Sequence, residues 1–360
     1  MEDTLKALKE HLETNKTKII KELQSLLTHK KQQLQNAHPW ARDILDRISD
    51  FTRNGKYIRG NLVLLGASLN KTSLRKAHYQ LAAAMELVHV CFLIHDDIID
   101  QDPRRRGKTT IHTQYQKWAQ SQQLPNPPHF GISMGICAGD FDLFFLYEVI
   151  NDLDLDSKIK NKLCRLISQE SQEVILGQMQ DVYLGHLPHF DIQEQTIENM
   201  YRYKTARYTY SLPLALGAIS SRLNPEKIEY LMELGECMGL IFQIKDDELD
   251  LFADPRKTGK ILGSDILENK KTLLFIKLFQ KAPPKTKKHL NFIFEKKSLG
   301  LQDIEFVKNQ LQKLGIVEEL HNKMDNLSNK ILNILDNLKV PLEHKNFLKQ
   351  LINYNRYRET

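Results

Sequence analysis

No segment of this chain approaches 18 uninterrupted apolar residues, so no membrane-spanning helix is expected. The opening residues, MEDTLKALKEHLETNKTKII, contain no apolar signal core. Glycine and proline are scarce, 16 and 12 among 360 residues, as a helical chain requires. No stretch alternates apolar and polar residues for the length of a useful strand, and no Gly-, Ser- or Pro-rich linker divides the sequence. There are only four cysteines, Cys91, Cys137, Cys164 and Cys237. None forms a CxxC pair and each sits among apolar residues, which points to buried free thiols in a reducing compartment and a cytoplasmic location. The net charge of +6 is spread over dispersed lysines with no long basic block, the pattern of a solvated surface rather than of nucleic-acid binding.

What the chain has throughout is helical periodicity. Residues 3–35 carry an apolar stripe of Leu5, Leu8, Leu12, Ile19, Ile20, Leu23 and Leu27. Pro39 ends it, and helices are expected over 40–53, 59–69 and 73–101. The last of these contains LAAAMELVHVCFLIHDDIID, apolar almost all round until its aspartates, as befits the centre of a bundle. Residues 103–135 read as loop-rich. Further helices are expected over 137–151, 156–184, 192–221, 225–253, 268–280, 285–297, 301–314 and 316–337, with a final segment after Pro341. Most prolines fall between these blocks; Pro213 falls inside one and should kink it just after Lys204-Thr205. The expectation is one all-α domain over 1–360, a bundle of ten or more helices, with 273–360 part of it.

Two segments share a pattern. Asp96-Asp97-Ile98-Ile99-Asp100 and Asp246-Asp247-Glu248-Leu249-Asp250 each place DDxxD at the end of an apolar helix, followed by a proline and basic residues. The first and last aspartates of each lie one turn apart on one face, with the middle one on the adjoining edge. Three like charges on one turn repel, so an unliganded helix should be destabilised there. Carboxylates without His or Cys favour a hard ion, Mg²⁺ rather than Zn²⁺, shared between a few carboxylates and substrate phosphates. Candidate phosphate binders lie nearby: Lys56 and Arg59 one turn apart, Arg104-Arg105-Arg106 after the first motif, and Lys257, Lys260, Lys270 and Lys271 after the second. His89 lies two turns before Asp96. No side-chain nucleophile is evident.

Taken in order, Gly55-Lys56-x-x-Arg59, MELVHVCFLIHDDIID at 85–100, RRGKTTIH at 105–112, HFGISMGICAGD at 129–140, GQMQD at 177–181, YKTARYTYSLPLALGA at 203–218, FQIKDDELDLFADPRKTGK at 242–260 and GSDILENKKT at 263–272 resemble the trans-isoprenyl diphosphate synthases, the polyprenyl synthetase family. The resemblance covers 55–272 and departs at GKYIRG, where Tyr57 and Gly60 replace an arginine and a proline.

It implies the isoprenoid synthase fold, all-α helices around a deep central cavity, in a homodimer. It implies head-to-tail condensation of isopentenyl diphosphate with an allylic diphosphate, using three Mg²⁺ ions and giving geranylgeranyl or farnesyl diphosphate. The catalytic set would be Asp96, Asp97, Asp100, Asp246, Asp247 and Lys204, with Asp96, Asp100, Asp246 and Asp250 as metal ligands. Lys56, Arg59, His89 and Arg106 would hold isopentenyl diphosphate. Arg105, Lys204, Thr205, Gln243, Lys260 and Lys270 would hold the allylic diphosphate, and Cys91 and Phe92 would set chain length. A terpene cyclase or a head-to-head synthase would not need the Lys56–Arg59–Arg106 clamp. A catalytically silent partner subunit should have lost one aspartate motif, and both are complete.

Overall fold

The computed structural model describes residues 2–34, 36–53, 55–70, 73–105, 107–254 and 262–358, without the side chains of 2–9 and 190. Arg106, Lys257 and Lys260 lie outside the described residues. The helices in order are α1 Glu2–Leu34, α2 Trp40–Thr52, α3 Ile58–Ser68, α4 Lys76–Ile99, α5 Ile111–Ser121, α6 Pro127–Asn151, α7 Ser157–Gly185, α8 Glu194–Tyr201, α9 Leu212–Ser220, α10 Pro225–Phe252, α11 Ser264–Leu267, α12 Leu273–Lys281, α13 Pro284–Phe294, α14 Leu301–Lys313, α15 Ile316–Asn337 and α16 Leu342–Tyr357. Among the described residues, sheet is confined to an antiparallel pair, β1 Arg104–Arg105 and β2 Lys108–Thr109. The fold is all-α, as the periodicity and the scarcity of glycine and proline demand.

The loop-rich reading of 103–135 needs correction, because α5 and the first nine residues of α6 lie within it. Pro127 and Pro128 signalled a break. They occupy the first turn of α6 instead, where a missing N–H costs nothing, and the Asn126 side chain accepts from the His129 N–H at 3.5 Å. Averaging over such residues also makes α6 long and apolar enough to cross a membrane by length and composition, at a mean hydropathy of 1.3. A search for uninterrupted apolar runs does not register it. Of the cysteines, Cys91 and Cys237 are buried as expected, whereas Cys137 on α6 is exposed; all four are free.

The chain divides into two compact units. The first comprises Lys9–Arg165 and Pro213–Leu223. Its centre is α4, whose Leu81, Ala82, Ala83, Ala84, Met85, Leu87 and Val88 are all inaccessible to solvent. α6 packs along α4 through small residues. A β-carbon on Gly135 would stand 2.7 Å from Ile98, and one on Gly139 2.3 Å from the His95 ring. α3 and α9 meet backbone to backbone: a β-carbon on Gly217 would lie 1.9 Å from the Val63 carbonyl oxygen.

The second unit comprises Met1–Leu8, Leu166–Leu212 and Asn224–Thr360. Between α8 and α9 the chain widens into a π-helix, Arg202–Ser211, ending two residues before Pro213. The kink expected from that proline therefore takes the form of a wider turn that precedes it. α10 lies against the π-helix, where Gly235 and Gly239 stand 2.6 and 2.4 Å, by their would-be β-carbons, from Ser211 and Ala206. The helices after α11 form a core of Phe275, Phe279, Leu290, Ile293, Val307, Leu311, Leu320 and Met324. The His189 ring stacks on Phe279 at 4.5 Å in that core.

Candidate active site

The first aspartate motif closes α4. Its three carboxylates are not equivalent: Asp96 is half-buried, Asp97 is 1% exposed and Asp100 is exposed. The following strand pair turns at Gly107, whose φ of +76° suits glycine, and this hairpin returns Arg105 to the motif. Arg105 Nε donates to Asp97 Oδ1, Nη2 donates to Asp96 Oδ2 at 3.2 Å, and Asp102 is 3.7 Å away. The like-charge repulsion expected from spacing alone is thus offset by a half-buried guanidinium. Burial still outweighs Arg105 at Asp97 and pushes its carboxyl up to about 7.

The second motif closes α10 in the second unit, and again the middle aspartate is turned inward. Asp247 accepts from the Tyr201 hydroxyl and from Gln243 Nε2 at 2.8 Å; burial raises its carboxyl well above the usual range. Tyr201 in turn accepts from the Leu273 N–H at 2.9 Å, tying α8, α10 and α12 together. Asp250, exposed in the equivalent position of the first motif, is here buried. It accepts from Ser264 Oγ at 2.5 Å and from the Asp265 N–H at 3.2 Å. Asp246 is 38% exposed and accepts from Arg358 Nη2 at 3.0 Å. Two motifs of the same DDxxD pattern therefore offer different faces: Asp96 and Asp100 outward in one, Asp246 in the other.

The remaining sequence candidates divide between the two units. In the first, Lys56 is exposed and Arg59 half-buried at the start of α3, with His89 and Phe92 half-buried and Cys91 buried on α4. Here the departures from the family pattern explain themselves. Tyr57 is 2% exposed, holds a left-handed φ of +55° and donates its hydroxyl to the Thr52 carbonyl at 2.9 Å. The Gly60 N–H donates to the buried Glu86 at 2.7 Å, a bond a proline would delete.

In the second unit, Lys204 and Thr205 ride on the π-helix. Lys204 Nζ donates to Asp181, the aspartate of GQMQD on α7. Lys270 stands 2.7 Å from Glu268 and 3.4 Å from Asp265, and Gln243 serves Asp247. Tyr201, Asp181, Ser264 and Arg358 were not singled out from the sequence. Asp181 and Ser264 lie in quoted motifs, GQMQD and GSDILENKKT; Tyr201 and Arg358 are brought to the site by folding alone.

Every outward donor of both motifs is a carboxylate oxygen, which suits Mg²⁺. Among the described residues no three His, Cys, Asp or Glu side chains gather into a group that would hold a metal unaided. Mg²⁺ characteristically takes one or two carboxylates and completes its shell with water and phosphate oxygens. Arginine stands on the outward carboxylate of each motif, Arg105 on Asp96 and Arg358 on Asp246, so both places already attract positive charge.

The polyprenyl synthetase family model matches residues 38–311, three-quarters of the chain and both motifs. The chain belongs to the polyprenyl synthetase family. Among its relatives is a short chain isoprenyl diphosphate synthase of Methanocaldococcus jannaschii, 34% identical over 251 residues, 70% of each chain. A geranylgeranyl diphosphate synthase of Saccharolobus solfataricus is 32% identical over 306 residues, covering 84% of this chain and 85% of that one. The crystal structure of geranylgeranyl pyrophosphate synthase from Corynebacterium glutamicum, complexed with isoprenyl diphosphate and magnesium, superposes with a TM-score of 0.88. It is 28% identical and covers 98% of this chain and 99% of that one. As a polyprenyl synthetase, this chain carries both aspartate motifs complete.

Proposed function

We propose that this polyprenyl synthetase is a prenyltransferase that condenses isopentenyl diphosphate head to tail with an allylic diphosphate and releases pyrophosphate. The observation that carries the reading is the pair of complete aspartate motifs, each ending an apolar helix and each with its first carboxylate outward. Asp96 and Asp100 on one side and Asp246 on the other are the residues that would hold Mg²⁺. When bound, the metal neutralises the diphosphate and makes it a competent leaving group. Asp97, Asp247 and Asp250 are too deeply engaged to serve as simple outward ligands. They brace the ends of α4 and α10 through Arg105, Tyr201, Gln243 and Ser264.

Lys204 and Thr205 on the π-helix, Arg105, Gln243, Lys260 and Lys270 are assigned to the allylic diphosphate. Lys56, Arg59, His89 and Arg106 are assigned to isopentenyl diphosphate. Each cation neutralises a phosphate oxygen and fixes one substrate against the other, so that the carbon–carbon bond forms between oriented partners. The apolar residues of α4 before Asp96 exclude water from the allylic cation that ionisation leaves. Phe92, one turn before Asp96, and Cys91, slightly further, are assigned to chain length. A small and a large residue there favour a product of geranylgeranyl length, with farnesyl next.

The protein is further proposed to act as a homodimer. α6 exposes Ile132, Ile136 and Phe144, and α7 exposes Ile175, Leu176, Met179, Val182 and Tyr183, apolar rows at helical spacing that water disfavours. Four free thiols are in keeping with cytoplasmic placement. The test is direct: incubate the purified chain with isopentenyl diphosphate, a labelled allylic diphosphate and Mg²⁺, and chromatograph the dephosphorylated products. A cyclic product, a head-to-head product or none at all would reject the reading.

A further inference from the structure

The segment that follows α16 ends its described course against the second aspartate motif. Arg358 Nη2 donates to Asp246 Oδ1 at 3.0 Å and to the Phe242 carbonyl at 3.3 Å, and the guanidinium stacks over the Phe242 ring at 4.2 Å. Its side chain is 5% exposed. Nothing in the sequence pattern of the family motifs accounts for this arginine, which lies 112 residues from its carboxylate.

Two features separate this contact from a finished structural ion pair. The first is its geometry. In the same unit Arg207 grips Glu170 with both Nε and Nη2, the two-pronged arrangement that makes arginine–carboxylate pairs strong. Arg358 reaches Asp246 through one nitrogen, and its Nε is buried without an acceptor among the described residues. A buried donor left unpaired costs stability, so the guanidinium is only partly satisfied where it stands. The second is the place it occupies. Among the three aspartates of the motif Asp246 faces outward, whereas Asp247 and Asp250 are buried and engaged by Tyr201, Gln243 and Ser264. Phosphate-bound Mg²⁺ and Arg358 therefore compete for the same oxygens.

We propose that Arg358 is the resident counter-cation of the second motif. It holds Asp246 in its outward position and neutralises it until a divalent ion takes that carboxylate, and metal binding releases the 356–358 segment from α10. The inference rests on the assignment of Asp246 as a metal carboxylate. Arg356 is held to Asp325 at 3.0 Å and to the His321 carbonyl at 3.4 Å, so the Arg356–Tyr357 bond is closed to protease for as long as Arg358 keeps the segment in place.

The test uses the full chain, with Mg²⁺ and inorganic pyrophosphate as probes and no prenyl substrate. Trypsin cleavage at the Arg356–Tyr357 bond, followed by mass spectrometry, reads release of the segment. Calorimetric titration reads Mg²⁺ affinity. In the wild type, Mg²⁺ with pyrophosphate should speed cleavage at that bond. Arg358→Gln should cleave fast without metal and bind Mg²⁺ about tenfold more tightly, the equivalent of one hydrogen bond to a charged group. Arg358→Lys, which keeps a positive charge, should stay near the wild type in both and serves as the folding control. Cleavage indifferent to Mg²⁺, or equal Mg²⁺ affinity in wild type and Arg358→Gln, including no binding by either, overturns the inference. If prenyl product still forms under those outcomes, the reaction assignment survives and only the role of Arg358 falls.

Discussion

A β-carbon on Gly177 would stand 2.8 Å from the backbone nitrogen of Lys204, closer than side chains pack. α7 and the π-helix touch there without intervening side chains, and that contact sets how far Lys204 and Thr205 project. Gly177→Ala must push the π-helix away. It should cost about 1–3 kcal/mol in stability, as overpacking does. It should also raise KM for the allylic diphosphate more than KM for isopentenyl diphosphate, because only the former is assigned to Lys204. Urea denaturation and two-substrate kinetics measure both; unchanged kinetics would detach Lys204 from the site.

Asp96→Ala and Asp246→Ala should each lower turnover by about 10²–10³, the usual loss when a contact to developing charge is removed. Both variants should keep the wild-type circular dichroism spectrum. Stability should not rise in either, since Arg105 and Arg358 would each lose a carboxylate partner. Turnover within a few fold of wild type for either variant would remove that motif from the mechanism.

Phe92 is half-buried one turn before Asp96. If it limits the growing chain, Phe92→Ala should give products at least one isoprene unit longer with modest loss of rate. If it is only packing, the change should cost about 3–5 kcal/mol and leave the product distribution alone. Chromatography of the dephosphorylated products separates the two.

Acid should unfold the second unit partly through His189. Burial among Phe275, Phe279 and Phe294, with Lys271 adding repulsion, lowers the imidazole to about 3. The unfolded chain takes up that proton near the ordinary value of about 6.5 and the folded one does not, so the stability is complete above that pH and declines as pH falls. The decline should reach about 3 kcal/mol by pH 4. Denaturation midpoints of the wild type and His189→Phe between pH 7 and 4 check it, and the substituted protein should show the shallower slope.

Much of this was legible in the sequence because helices write themselves at short range. The stripe of α1, the apolar run of α4 and the prolines between blocks located nearly every helix to within a few residues. Two DDxxD motifs with ordered flanking elements identified the family. Where local signals failed, one residue type carried two meanings: Pro127-Pro128 reads as a break in isolation and is tolerated in the first turn of α6.

What the sequence could not distinguish was one aspartate motif from the other. Asp100 and Asp250 hold the same position in the same pattern, yet one is exposed and the other accepts from Ser264. Nor does any local signal pair Tyr201 with Asp247 or Arg358 with Asp246, separated by 46 and 112 residues. Spacing along a helix fixes which side chains share a face, because that geometry is local. Which of them then meets water, a hydroxyl or a distant guanidinium depends on the segments that pack against that face, and only the tertiary structure decides it.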